Sequence, residues 1–180
     1  MISNEKVDDR NVTDFYKYWE TDAIKADLDS KRHLFAVLVE RVNGDFNFST
    51  IVRNNNCFLG QKVIRSGLKR WDKRGAVGAN HYEHIEYAES ACDVVADYRS
   101  NGYRIVAVDN VDGAIGVDEY FWHPKSLMVF GEEGRGISDE LLRLSDDIIY
   151  IKQYGSVRSL NVGTASGIIM YDYCSKVGKL

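Results

Sequence analysis

Four apolar runs recur along the chain, at Leu34–Val39, Ile105–Val108, Leu127–Phe130 and Ile148–Ile151. They are continuous rather than alternating, as in strands buried on both faces of a parallel sheet covered by helices. A shorter strand is predicted at Val63–Ile64. The stretches between read at helical period. A helix is predicted over 11–30, with Phe15, Trp19 and Leu28 roughly on one face, and another after a turn at Asn43-Gly44. A loop then leads into a helix over about Ala88–Ser100, and Asp112–Trp122 reads as a loop or short helix. Ser138 or its acidic neighbours start a helix whose apolar face includes Leu141, Leu142 and Leu144. The last helix begins near Ser159, which its hydroxyl suits as N-cap, and places Val162, Ala165, Ile168 and Ile169 near 3.6-residue spacing. Gly163 and Gly167, four residues apart, leave a bare stripe where another backbone can approach. Strands alternating with helices define the predicted class: α/β, a mostly parallel sheet flanked by helices.

Composition narrows the setting. At 180 residues, 44% hydrophobic and 28% charged, the chain suits one globular domain with a proper core. No apolar run approaches a membrane span, and the N-terminal MISNEKVDDR lacks the apolar core of a signal peptide. Cys57, Cys92 and Cys174 are too scattered for a disulfide framework or a metal site. A reducing, cytoplasmic location is expected. A net charge of −4 argues against indiscriminate nucleic-acid binding but leaves room for a local basic patch. Lys62, Arg65, Lys69, Arg70, Lys73 and Arg74, clustered around Trp71, form the best such candidate; a solvated charged loop is the plainer reading.

Candidate chemistry gathers where strands give way to loops. Gly131, Gly134 and Gly136 allow a tight turn with exposed backbone groups after one strand. Ser159 and Asn161 sit between the last strand and the last helix, the usual place for ligands in an α/β protein. Asp109 ends a strand, where it can mark ribose binding or cap a turn, but no dinucleotide fingerprint accompanies it. His81 and His84 lack a third ligand at convincing spacing, and no metal is expected. Alone, Arg53 reads as a surface cation and Asn47 as a helix cap.

Three of these stretches together resemble a known family. Ile151, Gly155, Ser159, Leu160, Asn161, Val162 and Ala165 match the third signature motif of the SpoU branch of the SPOUT RNA 2′-O-methyltransferases. Lys152 and Gln153 stand where that family usually has proline and methionine. The second motif is matched by Gly131, Glu133, Gly134, Gly136, Ile137 and Ser138, and the first by Asn47 with Arg53 six positions later. The resemblance runs from Leu34 to Tyr173 and implies a SPOUT domain over 34–180 behind a helical extension over 1–33. It also implies a C-terminal trefoil knot, which no composition could announce, and a homodimer with the active site at the subunit interface. Gly163 and Gly167 are expected to belong to that interface.

The implied reaction is methyl transfer from S-adenosylmethionine to a ribose 2′-hydroxyl of tRNA or ribosomal RNA, with no metal. By resemblance Arg53 is the residue nearest the chemistry, as base or as phosphate-orienting cation, with Asn47, Glu133, Ser159 and Asn161 positioning it and the ribose. A guanidinium surrenders its proton reluctantly, which keeps the second role open. The cofactor is expected against Phe130, Gly131, Gly134, Ile151, Gln153, Ser159 and Leu160, held largely by backbone groups, and RNA against Lys62, Arg65, Lys69 and Arg70. The alternative is a knotted RNA-binding protein that has lost transfer activity.

Overall fold

A computed structural model of the chain describes residues 10–40, 45–67, 69–132 and 134–178. Seven strands form one sheet: β1 (Ala36–Glu40), β2 (Val63–Ser66), β3 (Ile85–Ala88), β4 (Arg104–Val108), β5 (Ile115–Gly116), β6 (Ser126–Phe130) and β7 (Asp147–Tyr150). Their order is β3-β2-β1-β6-β4-β7-β5 and every pairing is parallel. The helices are α1 (Thr21–Asp29), α2 (Asp45–Cys57), α3 (Ala91–Ser100), α4 (Asp139–Leu144) and α5 (Val162–Val177).

Alternation along the central strands divides the core into two layers. Val37, Val39, Val106, Met128 and Phe130 face α2 and α5, which contribute Phe48, Ile51, Val52, Ile169, Met170 and Tyr173. Ala36, Leu38, Ile105, Ala107, Leu127 and Val129 face α3 and α4, meeting Val95 and Leu141. Both faces are covered, which is why these strands read as unbroken apolar runs.

Several expectations change in detail. The region expected as one helix over 11–30 is a 3₁₀ turn at Asp14–Tyr16 followed by α1, with Glu20 extended between them. The rings of Phe15, Tyr16 and Trp19 pack on one another, and the Tyr16 hydroxyl donates to Asp27, folding the turn back along the helix. The loop expected before α3 contains β3, an edge strand whose mixed exposure weakens its pattern. Asp112–Trp122 contains the two-residue β5 and a 3₁₀ turn. The turn expected at Asn43-Gly44 lies outside the described residues. Among the described residues no helix is long and apolar enough to cross a membrane.

Candidate active site

The ends of β4, β6 and β7, neighbours in the sheet, open into a cleft of about 450 Å³. Ligands of open α/β sheets bind in this position, beyond the carboxyl ends of the strands. One wall is the loop Gly131–Ile137, closed on itself by Glu132 N–H to Gly136 O (3.1 Å) and Gly136 N–H to Glu132 O (2.7 Å). A Cβ on Gly131 would lie 2.3 Å from the carbonyl carbon of Gly136, so only glycine lets the loop fold this tightly. Gly136 has φ +70°, and a Cβ there would lie 2.6 Å from Asp109 Oδ2.

Asp109 is the strut of this wall. Its Oδ2 accepts from the Ile137 backbone N–H at 2.9 Å, and its Oδ1 from Asn110 N–H at 2.8 Å. Glu40 adds a second strut, accepting from Ser138 N–H at 2.9 Å. The sequence showed Asp109 only as an acidic residue ending a strand, since the loop it holds begins more than twenty residues later.

The other wall runs from Tyr150 to Ala165. Phe130, Gly131, Gly134, Ile151, Gln153, Ser159 and Leu160, the expected cofactor set, all line the cleft. Asp109, Arg135, Asp139 and Arg158 line it too, though no sequence pattern singled out the last three. Ser159 is not the N-cap expected for α5. The helix starts at Val162, and Asn161 caps it, its Oδ1 accepting from Thr164 N–H at 3.1 Å. Residues Ser159 and Leu160 instead stay non-helical in the cleft wall.

Asn161 also joins two motifs, its Nδ2 donating to Asn47 Oδ1 on α2 at 2.8 Å. Further along the same contact, Asn54 Nδ2 donates to Gly163 O at 2.8 Å and to Ser166 Oγ at 3.0 Å. A Cβ on Gly163 would lie 2.9 Å from Thr50 Cγ2, and one on Gly167 3.2 Å from Asn54 Nδ2. Within the chain, the glycine stripe serves the close approach of α2.

Arg53 is exposed on α2 and is not among the residues that line the cleft. Six positions of helix turn it about 120° from Asn47, so the two point different ways. Glu133 lies outside the described residues. In the basic stretch, Lys69 and Arg70 are exposed, and Lys62 pairs with Glu86 at 2.6 Å. Arg65 is only 2% exposed, with its guanidinium 4.8 Å from the Phe48 ring centroid and Nη1 donating to Arg70 O. It braces the loop from below, and burial removes it from the expected RNA-contacting set.

A fully parallel sheet, a glycine-walled cleft at its carboxyl edge and an asparagine-capped helix closing that cleft define an α/β protein built to bind a ligand at the strand ends. Residues 34–171 match the SpoU rRNA Methylase family, and the chain belongs to it. The tRNA (guanosine(18)-2′-O)-methyltransferase of Escherichia coli K12 is 30% identical over 139 residues, covering 76% of this chain and 61% of that protein. Among solved structures, the Aquifex aeolicus TrmH/SpoU tRNA modifying enzyme superposes with a TM-score of 0.79 at 23% identity, over 87% of this chain and 81% of that one. The SpoU methyltransferase AviRb of Streptomyces viridochromogenes, solved with AdoMet, gives a TM-score of 0.72 at 23% identity, over 86% of this chain and 62% of that one.

Proposed function

We propose that this chain methylates a ribose 2′-hydroxyl of RNA, using S-adenosylmethionine, with tRNA the leading substrate class. The carrying observation is the cleft: a loop only glycines can form, beside an apolar wall with Phe130, Ile151 and Leu160. These residues fit the cofactor, because a flat base can lie on the apolar wall while exposed loop backbone and Asp109, Arg135 and Arg158 serve the polar remainder. When bound, S-adenosylmethionine supplies an electrophilic methyl group. The E. coli relative's action on tRNA supports the substrate class.

The chain's own part is binding and alignment. Ser159 lines the cleft, and Asn161 links its rim to α2 through Asn47. Arg53 stands outside its own cleft, which favours a homodimer in which each subunit's Arg53 serves the other's site. There it holds the ribose or its phosphate, or accepts the hydroxyl proton. A patch suited to the dimer contact lies on the outer face of α5, where Ile168 is 38% exposed and Tyr171 65%. In this reading the exposed Lys69 and Arg70 meet RNA phosphates, and Glu133 keeps the ribose-positioning role that the family resemblance implies. The trefoil knot at the C-terminus and a cytoplasmic setting belong to the same reading.

The test is methyl transfer from labelled S-adenosylmethionine into total tRNA and, separately, ribosomal RNA, with wild type and Arg53→Ala. Label in the tRNA pool that protects the modified ribose from alkaline cleavage and vanishes in Arg53→Ala is expected. Cofactor binding with no transfer to either pool would point to a missing partner or an unusual RNA, and no cofactor binding at all would favour the non-catalytic RNA-binding alternative.

A further inference from the structure

Lys152 and Gln153 are neighbours in sequence whose side chains have separate fates. Ile151 and Gln153 line the cleft. Lys152, between them, carries its Nζ away to Asp118 Oδ2 at 2.9 Å and Glu119 Oε1 at 3.0 Å. This is the alternation of an extended segment, and it commits Gln153 to the same wall as Ile151.

The side-chain oxygen of Gln153 is buried and accepts no hydrogen bond from the described residues. An acceptor withdrawn from water without a partner is costly, and nearly all such groups in folded proteins find one. An apolar residue would fill the same space without that penalty; the oxygen is closed to water in this conformation and gains a partner when the side chain turns it into the cleft that Gln153 already lines. Its neighbours narrow the choice. Gln153 belongs to the wall segment that contains Ile151 and Leu160 together with Arg158 and Ser159, whereas Asp109, Glu132, Arg135 and Asp139 come from just past β4, the glycine loop and α4. Ile151 and Leu160 suit a flat heteroaromatic ring, and an exocyclic amine on that ring supplies the missing N–H.

Building on the methyl-donor reading above, we propose that Gln153 reads the base of the cofactor. Its Oε1 accepts a hydrogen bond from the exocyclic amine of adenine, which makes Gln153 a specificity-determining residue peculiar to this chain's version of the motif.

Calorimetric titration with S-adenosylhomocysteine and with its 6-deamino analogue, in which hydrogen replaces the amine, tests this directly. Wild type is expected to prefer the parent compound by about tenfold, the order of one hydrogen bond to a buried acceptor. Gln153→Met, which keeps the side chain's length without its amide, is expected to bind the two within about twofold of each other, because no acceptor remains. Gln153→Glu keeps an acceptor and is expected to keep the preference, which preserves the test should the methionine variant unfold. An undiminished preference in Gln153→Met, its loss in Gln153→Glu, or wild type that binds both compounds alike would each overturn the role of Gln153. Failure of wild type to bind either compound would overturn the methyl-donor reading itself.

Discussion

Asp109 shows how one side chain can set the shape of a site without belonging to any recognisable motif. The Ile137 N–H that it accepts belongs to a residue only 4% exposed, so removing the carboxylate strands a donor. Asp109→Ala is expected to lower stability by about 1–3 kcal/mol, read by urea denaturation, and to weaken S-adenosylhomocysteine binding. Asn161 combines a local and a distant task, capping α5 and holding Asn47. Asn161→Ala is expected to cost about 1 kcal/mol for the cap alone, with a further loss from the Asn47 contact that vanishes in an Asn47→Ala background. The residues of the cleft wall were largely legible, because glycine spacing and the Ser-Leu-Asn-Val run are local patterns. Asp109 and Arg65 were not, since their roles depend on partners brought to them by the fold.

The α2–α5 contact is the element on which the site depends. It carries Asn47, Asn54 and Asn161, and Thr50 packs against the bare backbone of Gly163. Gly163→Val would drive a side chain into Thr50, and overpacking of this kind costs about 1–3 kcal/mol. The variant is expected to unfold at lower temperature, and adding Thr50→Ser, which removes the obstructing methyl, is expected to recover part of the loss. Spacing announced that some backbone would meet the glycines. It did not say whose, because intrachain and intersubunit helix packing demand the same small residues. The N-terminal region was misread for a related reason. Its aromatic spacing suits a helix, yet Phe15, Tyr16 and Trp19 satisfy one another in a compact turn.

At the scale of the molecule, the sheet is tied across its β4–β7 side by Asp147, which meets Arg104 Nε at 2.6 Å and the Tyr120 hydroxyl at 2.6 Å. The Arg104 guanidinium, helped by Tyr120, holds the Asp147 carboxyl below the usual carboxylate range. A depressed folded value means the contribution is present above the unfolded value, near pH ~4, and is lost as pH falls through the folded one. Asp147→Asn is therefore expected to lower stability at neutral pH and to flatten the acid limb of the stability curve. The outer face of α5 makes a separate prediction. If it forms the proposed dimer contact, Ile168→Asp yields a monomer by sedimentation, with cofactor binding to the single-chain cleft reduced less than methyl transfer. By itself the sequence determined the α/β class, the parallel sheet, the glycine loop and most of the cleft lining. The class, the sheet and the glycine loop follow from hydrophobic period or from a residue's own conformational limits, which act over a few neighbouring positions; the cleft lining followed from the resemblance of short motifs to a known family. Only the tertiary structure decided that Arg65 is buried, that the glycine stripe serves α2, that Asp109 holds the loop and that Arg53 stands outside its own cleft. Those outcomes turn on which distant segments meet, and contact between residues tens of positions apart leaves no periodic trace in the chain.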